Sequence, residues 1–195
     1  NLKDHDILGV GLPTVDFNNK DVKNLKISQC KLEGQFLDSI IAIECILLNG
    51  VYLNGFYQLC ALNGASICED LSHVLMDRCM SNIAGTGRPS ISMNPSGTSK
   101  LSVRGYRGGL DLLDCNQSTD SVTIELSPGS VTLDASCTDG TVVLRGVGSY
   151  TDNSSGLSLT NEIVEPLTEV NLDKIASSVW AHIKALTFAR FIGLK

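Results

Sequence analysis

One short pattern returns along this chain: an apolar residue, a gap of one, a second apolar or small residue, a gap of two, then cysteine. It reads Leu25-x-Ile27-x-x-Cys30, Ile40-x-Ala42-x-x-Cys45, Val74-x-Met76-x-x-Cys79 and Leu110-x-Leu112-x-x-Cys115, with a weaker copy at Gly55-x-Tyr57-x-x-Cys60. Cys30, Cys45 and Cys60 are separated by steps of 15 residues; the next step is 19 and the last, to Cys115, is 36. A fixed internal period marks a repeated supersecondary unit that buries its apolar face only by stacking on its neighbours. Helical repeats need more than about 30 residues each, so 15 leaves no room for a helix pair.

Short strands joined by tight turns do fit. Leu25 and Ile27 alternate with Lys26 and Ser28, and Leu101 and Val103 flank Ser102, the period of two that a strand requires. Turn formers follow in register at Glu33-Gly34, Asn49-Gly50, Asn54-Gly55 and Asn63-Gly64. Because they recur with the repeat, they read as corners of successive coils rather than as hairpins. The expected fold class is all-β: a right-handed parallel β-helix (solenoid) with a C-terminal α-helical segment. In it Cys30, Cys45, Cys60, Cys79 and Cys115 form a core ladder, coil above coil at about 4.8 Å.

Stacked side chains that point the same way are poorly placed for disulfides, so the cysteines read as free, buried thiols acting as small hydrophobes. That suits assembly in a reducing cytoplasm. No C-x-x-C pair occurs, and His5, His73 and His182 lie far from any cysteine cluster, so neither metal nor other cofactor is expected. The net charge of −6 argues against a nucleic-acid partner. No apolar run of 18 residues exists, so no membrane span is expected. The first residue is Asn rather than Met, and the numbering is expected to begin inside a longer chain that also continues past Lys195.

Three regions are expected: a parallel β-helix over 1–156, a linker over 157–170 and a C-terminal helix over 171–195. The nearly continuous apolar runs Ile40–Ile43 and Cys45–Leu48 imply strands covered on both faces, hence a packing surface outside the coil. Residues 81–100 read as projecting loops, where Gly85-x-Gly87-Arg88 could cradle an anion; no Lys-Ser/Thr pair follows, which excludes a P-loop. From 101 to 150, strands at a wider pitch imply coils of about 20–22 residues. Arg104-Gly105-Tyr106-Arg107-Gly108-Gly109 reads as an exposed basic corner, and Cys137 falls outside the cysteine pattern. In the last region Leu172, Ile175, Val179, Ile183 and Leu186 fall at steps of three and four, and Trp180 widens that face. They are the expected capping or oligomer contacts.

The stretch from Ser130 through Leu133-Asp134-Ala135-Ser136-Cys137-Thr138-Asp139-Gly140-Thr141 to Gly148, followed by Thr151-Asp152-Asn153-Ser154, resembles a segment of β-helical proteins encoded by tailed bacteriophages and prophages. Arg88–Asn94, Tyr106–Leu110 and Ile175–Trp180 are similar too, so the likeness spans roughly residues 80–185. It implies a virion structural protein of the tail-fibre, tailspike or other appendage type, assembled in the host cytoplasm and commonly a homotrimer. Other virion proteins and a host-surface polysaccharide are the implied partners. Alternatives are a capsid-decoration or neck/collar protein, and a polysaccharide-cleaving tailspike. Paired carboxylates would carry such cleavage, with Asp111, Asp114, Asp134 and Asp139 as nominees. Narrow coils and an aromatic content of 5% argue against catalysis.

Overall fold

Between Asn24 and Gly64 the backbone turns a corner every fifth residue. Asn24, Gln29, Gly34, Ser39, Glu44, Asn49, Asn54, Leu59 and Gly64 all hold a left-handed conformation, with φ between 45° and 64°. The computed structural model describes residues 6–9, 13–17, 24–34, 36–68, 74–81, 87–93, 100–166, 174 and 176–181. Each five-residue side carries two inward positions, two outward positions and one corner. Three sides make one coil, which is why the cysteines repeat at 15.

The strands are β1 (Asp6–Leu8), β2 (Thr14–Val15), β3 (Lys26–Ser28), β4 (Lys31–Glu33), β5 (Phe36–Asp38), β6 (Ile41–Ile43), β7 (Ile46–Leu48), β8 (Val51–Leu53), β9 (Gly55–Gln58), β10 (Ala61–Asn63), β11 (Ser66–Cys68), β12 (Val74–Asp77), β13 (Ser90–Ser92), β14 (Lys100–Leu113), β15 (Ser121–Leu133), β16 (Thr141–Asp152) and β17 (Ser158–Val164). The pairings among them are parallel and build a β-solenoid. A first face stacks β1, β3, β6, β9 and β12, then the leading halves of β14, β15 and β16, then β17. A second face stacks β2, β4, β7 and β10. A third stacks β5, β8, β11 and β13, then the trailing halves of β14, β15 and β16.

The core is a set of vertical columns. On the first face Ile27, Ala42, Tyr57, Met76, Val103, Ile124 and Leu144 pair one above another, and each is buried. Corners are secured by their own backbone. The N–H of Gln29 donates to Ile43 C=O at 3.0 Å, Glu44 to Gln58 at 2.9 Å, Leu59 to Asp77 at 2.9 Å and Arg78 to Arg104 at 2.8 Å. Each turn therefore satisfies its donor on the next coil, as a buried backbone must.

Above residue 100 the coil lengthens. Leu101 pairs with Val122 and Val122 with Val142, steps of 21 and 20 that match the expected wider pitch. Here one strand serves two faces, bent by register shifts between Val103 and Gly108.

The stack also runs past 156, which corrects the expected start of the linker. Ser158–Val164 pairs along β16, because Leu157, Leu159 and Ile163 pack against the core. The chain divides after Val164, leaving Glu165–Lys195 as a second unit. In that unit residue 174 and residues 176–181 are helical, with Val179 and Trp180 exposed. Leu172, Ile175, Ile183 and Leu186 lie outside the described residues. No helix among the described residues is long and apolar enough to cross a membrane.

Candidate functional site

Cys30, Cys45, Cys60 and Cys79 stand in one column at the corner between the first and second faces, all buried and free. Each follows a left-handed residue: Gln29, Glu44, Leu59 and Arg78. The thiols of Cys45, Cys60 and Cys79 contact a carbonyl of the coil below: Ile27 at 3.5 Å, Ala42 at 3.3 Å and Tyr57 at 3.3 Å. Contact with the Cys60 thiol and burial push Cys45 far above the ordinary thiol range. A hydrogen bond from Cys60 draws Cys79 down. All four thiols are packed inside the coil as small hydrophobes.

Cys115 is buried but does not continue that column. Met80 pairs with Arg107, so the residue above Cys79 is Tyr106. Cys115 instead follows the left-handed Asp114 at the end of the third face. The recurring pattern marks a corner and the side leading into it, and any of the three corners can host one. Cys137, which the pattern leaves out, belongs with Cys115. It is fully buried, its thiol donates to Leu112 C=O at 3.3 Å, and Thr138 N–H donates to Cys115 C=O.

The nominated carboxylates are held in local structure. Asp111 pairs with Arg88 at 2.8 Å, and Asp114 accepts from the Ser92 hydroxyl at 2.6 Å. Asp134 accepts from Ser136 N–H at 2.9 Å, which holds its carboxyl below the usual range, and Asp139 accepts from Gly140 N–H. Arg88 also donates to Ser130, Thr132 and Leu110 C=O, at 3.1, 3.1 and 2.9 Å. Its guanidinium is a clasp across two coils; Gly85 and Thr86 of the expected anion cradle lie outside the described residues. Gly109 makes the clasp possible, since a Cβ there would sit 2.5 Å from Arg88 Nη1. His5, His73 and His182 lie outside the described residues, and no group of three or more metal-binding side chains comes together among those described.

The exterior carries two features that sequence reading missed or saw only in part. Phe36, Ile41, Ile43, Ile46, Leu48, Val51, Leu53 and Phe56 occupy outward positions on all three faces of adjacent coils. Phe36, Ile41 and Val51 are 54%, 42% and 37% exposed. Together they form an apolar girdle. It is bracketed by Lys26, Lys31 and Glu33 below and by Gln58, Asn63 and Asp77 above. Farther up the first face, Asp77 stands opposite Arg104, and Glu125 opposite Arg145, which stands opposite Glu162. Val103 pairs with Ile124, so Arg104 and Glu125 run side by side, and the whole column alternates in sign. Arg145 Nη2 lies 3.5 Å from Glu125 Oε2.

A groove of about 360 Å³ opens on the same face. The outward side chains Leu75, Ser102 and Thr123, stacked in register, form its floor. Lys100 and Ser121 stand along one edge and Arg104 along the other. Small hydroxyl residues between larger neighbours are what leave the space.

In comparisons with known proteins, no family model matches the chain, and neither a curated protein nor a solved structure does.

Proposed function

We propose that this chain is a structural component of a bacteriophage virion, part of a tail fibre, tailspike or similar appendage, and that it works as one of three identical copies. The observation that carries the reading is the unbroken parallel stack from β1 to β17, in which each coil is hydrogen-bonded to the next. Such a ladder has no soft joint along its axis, which is what a force-bearing stalk requires. The likeness of Ser130–Gly148 to β-helical virion proteins points the same way.

The apolar girdle supports self-association. It is two coils high, about 10 Å, against the roughly 30 Å of a bilayer's hydrocarbon core, so its scale suits a protein neighbour. Copies packed side by side with parallel axes bring girdle to girdle at one level. Sliding by a coil would set Ile41 against the Lys26 row, so the bracketing residues fix the register.

Immunogold electron microscopy of tailed particles, using antibody to this chain, tests the role. Label along the tail or its fibres is the expected result, label on the capsid or neck would move the protein there, and label only in the soluble fraction would remove the reading. Light scattering on the purified chain tests the trimer.

A further inference from the structure

We propose that Cys60 and Cys79 together hold one soft, two-coordinate metal ion, Cu(I), inside the coil. The site goes beyond the appendage role and stands independently of it.

Sequence spacing hides the pair, since 19 residues separate the two thiols. The fold stacks them. Gln58 pairs with Asp77 on one side and Ala61 with Met80 on the other, so Cys79 lies one coil above Cys60. Backbone hydrogen bonds clamp both flanks: Leu59 N–H donates to Asp77 C=O and Met80 N–H to Cys60 C=O, each at 2.9 Å. Both thiols are buried and free.

The spacing decides which chemistry the pair allows. Residues stacked on neighbouring strands sit about 4.8 Å apart, with their side chains side by side. A disulfide needs its sulfurs at about 2.0 Å, which parallel side chains do not reach unless the backbone moves. A linear sulfur–metal–sulfur bridge spans twice a metal–thiolate bond of about 2.3 Å, or about 4.6 Å. One coil rise therefore fits the bridge and not the disulfide. Zinc takes four ligands, and no group of three or more metal-binding side chains comes together among the described residues. Cu(I) is a soft ion that thiolates select, and two of them suffice.

On loading, Cys60 and Cys79 each release a proton to solvent and each sulfur gives an electron pair to the ion; no oxidant takes part. Two thiolates and one monovalent cation leave a single negative charge in the core, which hydrogen-bond donors have to meet. Tyr52 is fully buried, and its hydroxyl has no hydrogen-bond partner among the described residues. Cys60 lies within its electrostatic reach, so this spare donor stands beside the bridge. Cys45, stacked one coil below Cys60, brings a second donor. Met80, 44% exposed and next to Cys79, offers a thioether at the surface where an ion first arrives.

The experiment is an anaerobic titration of the reduced full chain with Cu(I) supplied from its bathocuproine disulfonate complex. It is run on the folded chain and on chain refolded with the ion present. One Cu(I) should bind per chain, and X-ray absorption should find two sulfur neighbours. The denaturation midpoint should rise, because the folded state then holds the ion more tightly than the loose thiols of an unfolded chain. Cys60→Ser and Cys79→Ser should each lose binding, whereas Cys115→Ser should keep it. Tyr52→Phe, which leaves the fold in place, should weaken binding about tenfold by removing a donor to the ligating sulfur. No uptake by either preparation, three or more sulfur neighbours, a lowered midpoint, retained affinity in Cys60→Ser or Cys79→Ser, or parental affinity in Tyr52→Phe would overturn the proposal.

Discussion

The thiol of Cys45 donates to the carbonyl of Ile27, in the coil below, at 3.5 Å. Eighteen residues of chain separate the two. The contact exists only because one coil lies on another, and it leaves the side chain fully enclosed. Cys45→Asp places an unpaired charge there and should cost more than about 4 kcal/mol, enough to unfold the neighbouring coils. Cys45→Ala leaves a small void and should cost about 1–2 kcal/mol. Chemical denaturation of the two variants checks both numbers; an Asp variant as stable as the parent would be incompatible with a stacked core.

Alkaline pH should destabilise the fold through its thiols. Burial pushes Cys115 up to about 12 from an ordinary 9.0, and burial also raises Cys137 beside it. Between those values an unfolded chain releases the proton and the folded one keeps it. The unfolded state thus binds fewer protons, and stability falls as pH rises from about 9 towards about 12. Denaturation midpoints measured across this window should decline, and less steeply in Cys115→Ala. A flat profile in the parent would show that these thiols are open to water.

Leu59 turns its corner at a φ of 54° while 38% exposed, so the stacked strands impose a left-handed backbone that burial of its own side chain does little to offset. Glycine carries no such penalty, and asparagine visits this region readily. Leu59→Gly or Leu59→Asn should therefore raise stability by about 1 kcal/mol. Thermal or urea unfolding measures it, and a loss of stability would mean that the corner is shaped by the Leu59 side chain instead.

Two buried tyrosines should answer differently to the same change. The Tyr57 hydroxyl donates to Asn54 C=O, whereas Tyr52 Oη is buried with no hydrogen-bond partner among the described residues. Removing an unmet hydroxyl is neutral or favourable, and removing a bonded one strands its acceptor. Tyr52→Phe should leave stability equal or up to about 1 kcal/mol higher, and Tyr57→Phe should lower it by about 1 kcal/mol. The reverse order in a denaturant titration would contradict the core described here.

The coil was legible from Cys30, Cys45 and Cys60, because equal spacing in sequence becomes vertical alignment in a solenoid. The five-residue side was legible as well, in Leu32, Leu37, Leu47, Tyr52, Tyr57, Leu62 and Ile67, but corner residues as unlike as Gln29, Ser39, Glu44 and Leu59 disguise it. Turn chemistry alone cannot find a left-handed leucine that tertiary packing imposes. Cys115 was misplaced because a pattern describing one corner does not say which of three corners it is. The runs Ile40–Ile43 and Cys45–Leu48 announced apolar side chains outside the coil, and the girdle carries them. The alternating column of Asp77, Arg104, Glu125, Arg145 and Glu162 was not legible. Its steps of 27, 21, 20 and 17 residues acquire meaning only once the register is known. The groove depends on the same register.

The stacking itself can be measured by pulsed electron–electron resonance between spin labels on unnatural amino acids at outward positions of the first face. Lys26, Ser102, Thr123, Val143 and Thr160 follow one another up that face in the register of the strands. With one label at Lys26 and the other moved from Ser102 to Thr123, Val143 and Thr160, the distance should grow by about 5 Å at each step. Distances that fail to rise in that order would contradict the solenoid.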